Sequence, residues 1–67
     1  MSIDRGGFSY RIFVRKDMVG LSVYEDNINS QLIDTKTGYK NVIKRIKGVA
    51  TQEELLIIEK WIFELLL

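Results

Sequence analysis

Apolar and polar residues alternate between residues 8 and 14, as expected for a strand that buries one face. One face carries Phe8, Tyr10, Ile12 and Val14, and the other carries Ser9, Arg11, Phe13 and Arg15. Alternation returns over residues 21–24, after a turn in residues 16–20 where Gly20 can supply a positive φ. We expect these two strands to pair as an antiparallel hairpin. A second turn at residues 25–27 and a short third strand at residues 31–34 follow.

Residues 39–47 are compatible with two structures. The composition of residues 34–38 is that of a hairpin turn, which would make the next segment a fourth strand. At 100° per residue, however, its apolar residues fall within about 100° of arc, as in an amphipathic helix. These residues are Tyr39, Val42, Ile43 and Ile46. We favour the helix, with Gly48 as its glycine stop.

The last seventeen residues predict a second helix with an unusually apolar surface. Thr51 and Glu54 have the spacing of a capping box, so this helix begins near Thr51. Apolar residues fill half of its wheel, and a second apolar stripe lies beyond Glu59. Because a helix that is apolar on two faces is usually buried on both, we expect a second copy of the chain to cover it. The predicted interface residues are Leu56, Trp61, Phe63, Leu66 and Leu67.

The predicted fold is therefore a single small α+β domain over residues 1–67. An antiparallel meander of about three strands precedes two helices; the alternative is four strands and one C-terminal helix. A chain of 67 residues is near the lower limit at which one core outweighs chain entropy. Since it has neither Cys nor His, disulfides and common metal sites are not expected to stabilise it. Dimerisation is the remaining way to stabilise so small a domain.

Composition favours a cytoplasmic globular protein of bacterial or phage origin. Apolar residues make up 46% and charged residues 28%, which is ordinary for a folded domain. The first residues lack the basic and apolar segments of a signal peptide. The C-terminal apolar segment is interrupted by charges and shorter than the roughly 20 residues of a membrane span, so we expect no membrane association. Pro and His are absent, while Ile, Lys and Asn are frequent.

Nothing in the sequence predicts an enzyme. It contains no His, no Cys, no Gly-rich phosphate loop and no spaced metal-ligand motif. Acidic pairs occur at residues 25–26 and 53–54, where a turn and the first turn of a helix explain them better than acid-base catalysis. We therefore expect no catalytic residue, no metal and no cofactor.

Charge is distributed unevenly along the chain. Residues 1–50 carry nine Lys/Arg against five Asp/Glu, a net +4, whereas residues 51–67 carry one against four, a net −3. Five of the positive residues lie within residues 36–47: Lys36, Lys40, Lys44, Arg45 and Lys47. Such a helix face can bind phosphates. Arg11 and Arg15, with Phe13 available for base stacking, would extend this surface.

The alternative for these lysines is that they only solvate a surface helix, because the net charge of +1 is low for a nucleic-acid-binding domain. Our leading hypothesis is a small, homodimeric, non-enzymatic regulatory protein that binds nucleic acid through the basic helix face. The competing hypothesis is a protein-binding inhibitor or adaptor, such as a phage protein directed at a host protein. It would act through the apolar helix or a sheet edge.

Overall fold

The computed structural model describes residues 1–25 and 30–67. It contains one antiparallel sheet with the strands in chain order, followed by two helices. The elements are β1 (Ser2–Arg5), β2 (Phe8–Arg15), β3 (Met18–Glu25), β4 (Gln31–Thr37), α1 (Tyr39–Lys47) and α2 (Gln52–Leu66). The predicted α+β meander with two following helices is confirmed, and residues 39–47 are a helix. The turn expected over residues 25–27 lies outside the described residues apart from Glu25, which ends β3.

β1 adds a strand that the apolar pattern did not predict. Only one of its four residues, Ile3, is buried, so alternation is not visible over so short a segment. A two-residue turn, Gly6–Gly7, connects β1 to β2, and Arg5 pairs with Phe8 across it. Both glycines have positive φ, 62° and 80°, as the first and second central positions of a type I′ hairpin turn require.

The turn between β2 and β3 differs from the prediction. Lys16 and Asp17 form it with φ of 49° and 65°, so Gly20 is not the residue with positive φ. Gly20 lies inside β3, opposite Phe13 of β2. A Cβ on Gly20 would lie only 2.2 Å from Phe13 Cζ. The absent side chain therefore lets the Phe13 ring lie directly against the β3 backbone.

Both helices pack on the same face of the sheet, and no helix of the described residues covers the opposite face. The core consists of Ile3, Tyr10, Ile12, Val19, Leu21, Val23, Val42, Ile43, Ile46, Ile58 and Ile62. The sheet residues in this set alternate along their strands, because successive side chains point to opposite faces. We call the face without helices the outer face.

Glycines flank α1, and a capping box begins α2. Gly38, with φ of 89°, precedes α1, and its N–H donates to the carbonyl of Val19 at 2.8 Å. α1 ends at Gly48 as predicted, but Gly48 has the right-handed φ of −71° instead of the left-handed conformation of a typical glycine stop. The capping box is confirmed: the Glu54 N–H donates to Thr51 Oγ1 at 3.1 Å, and the Thr51 N–H donates to Glu54 Oε1 at 2.8 Å.

Candidate functional site

A basic pocket lies where α1 packs beside β4. Lys36 pairs with Leu21 across the sheet, which places it on the helix side, next to the C-terminal half of α1. The pocket is open to solvent, has a volume of about 580 Å³ and is lined by Lys36, Asn41, Lys44, Arg45 and Gly48. We call it the α1–β4 pocket. Its chemistry is that of an anion site, since ammonium, guanidinium and amide groups all donate hydrogen bonds.

Asp34 forms ion pairs with two of the positively charged side chains at this pocket, Arg45 and Lys36. Arg45 Nε donates to Asp34 Oδ2 at 3.0 Å, and Lys36 Nζ lies 3.7 Å from Asp34 Oδ1. The hydrogen bond from Arg45 lowers the pKa of Asp34, and the charge of Lys36 acts in the same direction. The Arg45 guanidinium also lies 5.4 Å from the ring centroid of Tyr10. Arg45 is therefore held in place by the fold, with less freedom to bind a ligand than its neighbours have.

The three lysines of α1 are exposed and lie within about 60° of arc on the helix. Among the described residues, no carboxylate lies within salt-bridge distance of Lys40, Lys44 or Lys47. Lys44 lines the α1–β4 pocket. At about 100° per residue, Lys40 and Lys47 are about 20° apart on the flank of α1 farther from Arg45. Lys44 is thus the α1 lysine that shares a surface with Lys36.

The arginines of β2 lie on the outer face. The Arg11 guanidinium stacks over the Tyr24 ring, 4.6 Å from its centroid. Arg15 lies beyond Phe13 on the same face, at the end of β2. The predicted nucleic-acid-binding residues are therefore divided between opposite sides of the sheet. The outer face offers a flat Phe13 ring and a stacked arginine, both of which are suited to contact with bases.

α2 exposes a row of large apolar side chains. Leu56 is 67% exposed and Phe63 is 53% exposed, and Leu67 follows them at the end of the helix. We call these three residues the α2 stripe. Trp61 and Leu66, which were expected at the same interface, are partly buried and pack against the core.

The α2 stripe borders α1. The rings of Tyr39 and Phe63 are 5.3 Å apart, with an angle of 36° between their planes. Burial and the nearby Glu59 carboxylate raise the pKa of Tyr39. This contact places α1 along one side of the stripe.

Sequence reasoning missed two exposed residues of α2, Ile57 and Leu65. On the helical wheel they belong to the larger apolar half, which was expected to be buried. α2 contacts the sheet at β2, and full burial within the helix is confined to Ile58 and Ile62. The helical wheel shows which residues share a face, but it does not show how much of that face the rest of the fold covers.

Comparison with known proteins adds no relative: no family model, no curated protein and no solved structure matches the chain. Among residues 1–25 and 30–67, no helix has the length and apolar character needed to cross a bilayer. The same residues contain no group of three or more acidic side chains placed to hold a metal ion. Arguments about function therefore come from the α1–β4 pocket, the outer face and the α2 stripe.

Proposed function

We propose that the protein is a small non-enzymatic binding module that binds nucleic acid through the α1–β4 pocket. The observation that carries this proposal is the convergence of Lys36 from β4 and Lys44 from α1 on one open concave surface of about 580 Å³. Asn41 also lines the pocket; its Nδ2 donates one hydrogen bond to the carbonyl of Thr37 at 3.0 Å and has a second N–H to donate. Phosphate oxygens are acceptors only, so this set of donors is complementary to a nucleic-acid backbone.

Among the described residues, Asp34 is the carboxylate that forms ion pairs at this pocket. It accepts a hydrogen bond from Arg45 but lies farther from Lys36, so it neutralises Arg45 more than it neutralises Lys36. Lys36 and Lys44 therefore supply the charge for phosphate contacts. Each contact releases condensed counterions, and two contacts give a slope of log affinity against log salt of about −1.4 for a single strand to −1.8 for a duplex. Such a module binds weakly as one copy, and its affinity rises when two pockets act together.

The test uses short labelled oligonucleotides, single-stranded and duplex, titrated at low salt with fluorescence anisotropy as the readout. Lys44→Glu should weaken binding by about tenfold and reduce the steepness of the salt dependence by about 1 or more. Arg15→Glu is the matched control, because it makes the same change of charge on the outer face. Equal effects of the two variants, or no binding by the wild type at low salt, would contradict the proposal. A larger effect of Arg15→Glu than of Lys44→Glu would place the binding site on the outer face instead.

A second candidate function is a protein-binding inhibitor or adaptor. The edge of β4 that faces away from β3 supports it. β4 is the last strand of the sheet, so one of its edges has no neighbouring strand among the described residues. Leu32 and Ile33 on this strand are exposed. An extended segment of a partner can add to such an edge by backbone hydrogen bonds, with the two apolar side chains giving specificity.

Hydrogen exchange distinguishes this candidate from the first. A partner that adds a strand should slow exchange of the β4 amides, and Leu32→Lys should weaken its binding. Lys44→Glu should leave that binding unchanged. Protection of α1 and of β4 near Lys36, without protection at Leu32 and Ile33, on addition of an oligonucleotide would favour the nucleic-acid function instead.

A further inference from the structure

We propose that two copies of the chain pair through their β4 strands, about a two-fold axis that is perpendicular to the sheet and passes between the two Thr35 residues. This inference does not depend on nucleic-acid binding, and the second copy occupies the edge that a foreign strand would need. All residues of β4 except Asp34 are exposed, and the edge that faces away from β3 has no neighbouring strand among the described residues. Such an edge is a template for pairing with another chain.

Thr35 and Thr37 turn their backbone polar groups toward this edge. The Gly38 N–H donates to the carbonyl of Val19 on β3 at 2.8 Å, so the Thr37 carbonyl, which belongs to the same peptide group, points away from β3. In an antiparallel strand the N–H and C=O of one residue point to the same side, and the side alternates along the strand. At the two-fold axis, the two Thr35 residues can therefore exchange a pair of hydrogen bonds.

Asp34 and Lys36 flank Thr35 and share one face of the sheet. They pair with Val23 and Leu21, which are core residues, so both lie on the helix side. The two-fold axis places residue 34 of one copy opposite residue 36 of the other, twice, and it keeps every side chain on its own face. Each Asp34 thus lies directly across from a Lys36. Opposite charges in this position stabilise an antiparallel pair.

These charges also select the register. Moving the axis by one residue along β4 places Asp34 opposite Asp34, or Lys36 opposite Lys36, and like charges directly opposite each other are destabilising. An axis between two residues would set side chains from opposite faces against each other. Thr35 is therefore the centre at which the strand is complementary to itself. This self-complementarity favours a second copy over an unrelated segment.

Asp34 can form the new pair and keep its contact with α1. Its Oδ2 accepts from Arg45 Nε at 3.0 Å, whereas its Oδ1 lies 3.7 Å from Lys36 Nζ of the same chain. Oδ1 has the weaker contact and is the oxygen available to Lys36 of the second copy. The same register places Ile33, which is 47% exposed, next to Thr37 of the second copy.

The other edge strand, β1, lacks this property. It has four residues, and its charged residues, Asp4 and Arg5, are adjacent. Successive side chains point to opposite faces, so no two-fold β1–β1 pair sets Asp4 against Arg5. Arg5 is also bound to Glu54. β4 is therefore the edge that selects a second copy.

Pairing through β4 joins two four-stranded sheets into one of eight strands. Because the axis preserves the faces of the sheet, the two α1–β4 pockets lie on the same face, one on each side of the seam. The positive charges of the pockets approach each other, so we expect a dimer that forms progressively with concentration. A polyanion that contacts Lys44 of both copies gains the avidity that a single pocket lacks.

The first test is disulfide cross-linking of Thr35→Cys in a glutathione redox buffer, because the chain has no cysteine of its own. Directly opposed, hydrogen-bonded residues have Cα atoms about 5.5 Å apart, within the range that a disulfide spans. We expect a covalent dimer. Thr37→Cys is the matched control on the same strand and face. Its two copies would lie about 14 Å apart, and it should cross-link about tenfold more slowly or less.

The second test is the solution mass by sedimentation equilibrium up to about 1 mM chain, with circular dichroism to confirm folding. The mass of the wild type should rise toward twice the single-chain mass of 7.8 kDa. Thr35→Pro removes the N–H that crosses the seam and none that faces β3, so it should give a folded monomer. Thr35→Ala keeps this N–H and should dimerise as the wild type does.

Lys36→Glu places like charges opposite each other at two symmetric positions and should weaken dimerisation by about tenfold. Arg15→Glu is its control, because it makes the same change of charge two strands away from β4, and it should leave the mass unchanged.

A single-chain mass for the wild type at every concentration would overturn the proposal. So would equal rates of cross-linking in Thr35→Cys and Thr37→Cys, because only the first residue faces its own copy in this register. Loss of the dimer in Leu56→Glu but not in Thr35→Pro would place the interface on the α2 stripe instead. These experiments contain no nucleic acid, so their outcome is separate from that of the oligonucleotide titration.

Discussion

Arg5 holds Glu54 through two parallel hydrogen bonds that join β1 to the first turn of α2. Nη1 donates to Oε1 at 2.7 Å and Nη2 donates to Oε2 at 2.9 Å. Arg5 Nη1 also donates to the carbonyl of Val49 at 2.6 Å. Glu54 at the same time accepts from the Thr51 N–H in the capping box. One carboxylate therefore connects the N-terminal strand, the connection between the helices and the start of α2.

Glu54 makes the stability of the protein sensitive to acid. The hydrogen bond from Arg5, followed by that from the Thr51 backbone, lowers the pKa of Glu54 from 4.5 to about 2. A carboxylate whose pKa is lower in the folded state contributes stability above its unfolded pKa and loses it as the pH falls through the folded pKa. We expect the free energy of unfolding to decrease between pH 4.5 and about pH 2. Urea unfolding followed by Trp61 fluorescence measures this decrease.

Glu54→Gln should lower the free energy of unfolding at neutral pH. In this variant the free energy of unfolding should also decrease less as the solution is made acidic. Glu53→Gln is the control, because Glu53 is exposed and forms no hydrogen bond with another side chain among the described residues. Asp34 also has a lowered pKa, so part of the acid sensitivity should persist in both variants. Identical acid profiles for the wild type and Glu54→Gln would contradict the role assigned to the Arg5–Glu54 pair.

Gly20→Ala should destabilise the protein through Phe13. The new Cβ would meet three atoms of the Phe13 ring at 2.2 to 2.9 Å, so the ring must leave its place on β3. We expect a loss of about 1 kcal/mol, the order of a cross-strand pair. In a Phe13→Ala background the same change should be neutral or stabilising, because Ala suits a strand better than Gly. A double-mutant cycle measures this coupling, and additive effects would argue against it.

Thr51→Ala should destabilise α2 by about 1 kcal/mol, because the first turn loses the side-chain acceptor for the Glu54 N–H. Thr51→Ser keeps the hydroxyl and should remain close to the wild type. Urea unfolding compares the two variants. Equal losses would show that the methyl group, and not the cap, accounts for the effect.

Ile58→Ala and Ile57→Ala form a matched pair on α2. Ile58 is 1% exposed, so its truncation should leave a cavity and cost about 2–5 kcal/mol. Ile57 is 60% exposed, so its truncation should lower the free energy of unfolding by about 0.5 kcal/mol or less. Thermal and urea unfolding measure both. Similar losses would mean that α2 packs with a different rotation about its axis.

Part of the fold was predictable because its signals are local. The alternation in β2, the period of α1 and the Thr51–Glu54 capping box each lie within a few residues of sequence. β1 was missed because Ile3 is its only buried side chain, although Gly6–Gly7 is a recognised hairpin signal that would have revealed it. Gly20 was misassigned to the turn, because its actual neighbour, Phe13, is brought beside it only by strand register.

The candidate surfaces were less predictable than the elements that form them. A list of basic residues cannot state that Lys36 and Lys44 share a pocket while Arg11 and Arg15 lie on the outer face, since this depends on which side of the sheet the helices pack. Asp34 changed the role of Arg45 in the same way, by a contact between β4 and α1. The Arg5–Glu54 pair spans 49 residues, and the sequence carries no pattern that links them.

The order of the strands has a consequence for how the chain folds. Every strand pairs with its neighbour along the chain, so each loop closure in the sheet is short and its entropic cost is small. α2 takes part in no strand pairing, and it can dissociate from the sheet without breaking a single hydrogen bond between strands. We therefore expect the meander to form first and the last helix to dock on it late.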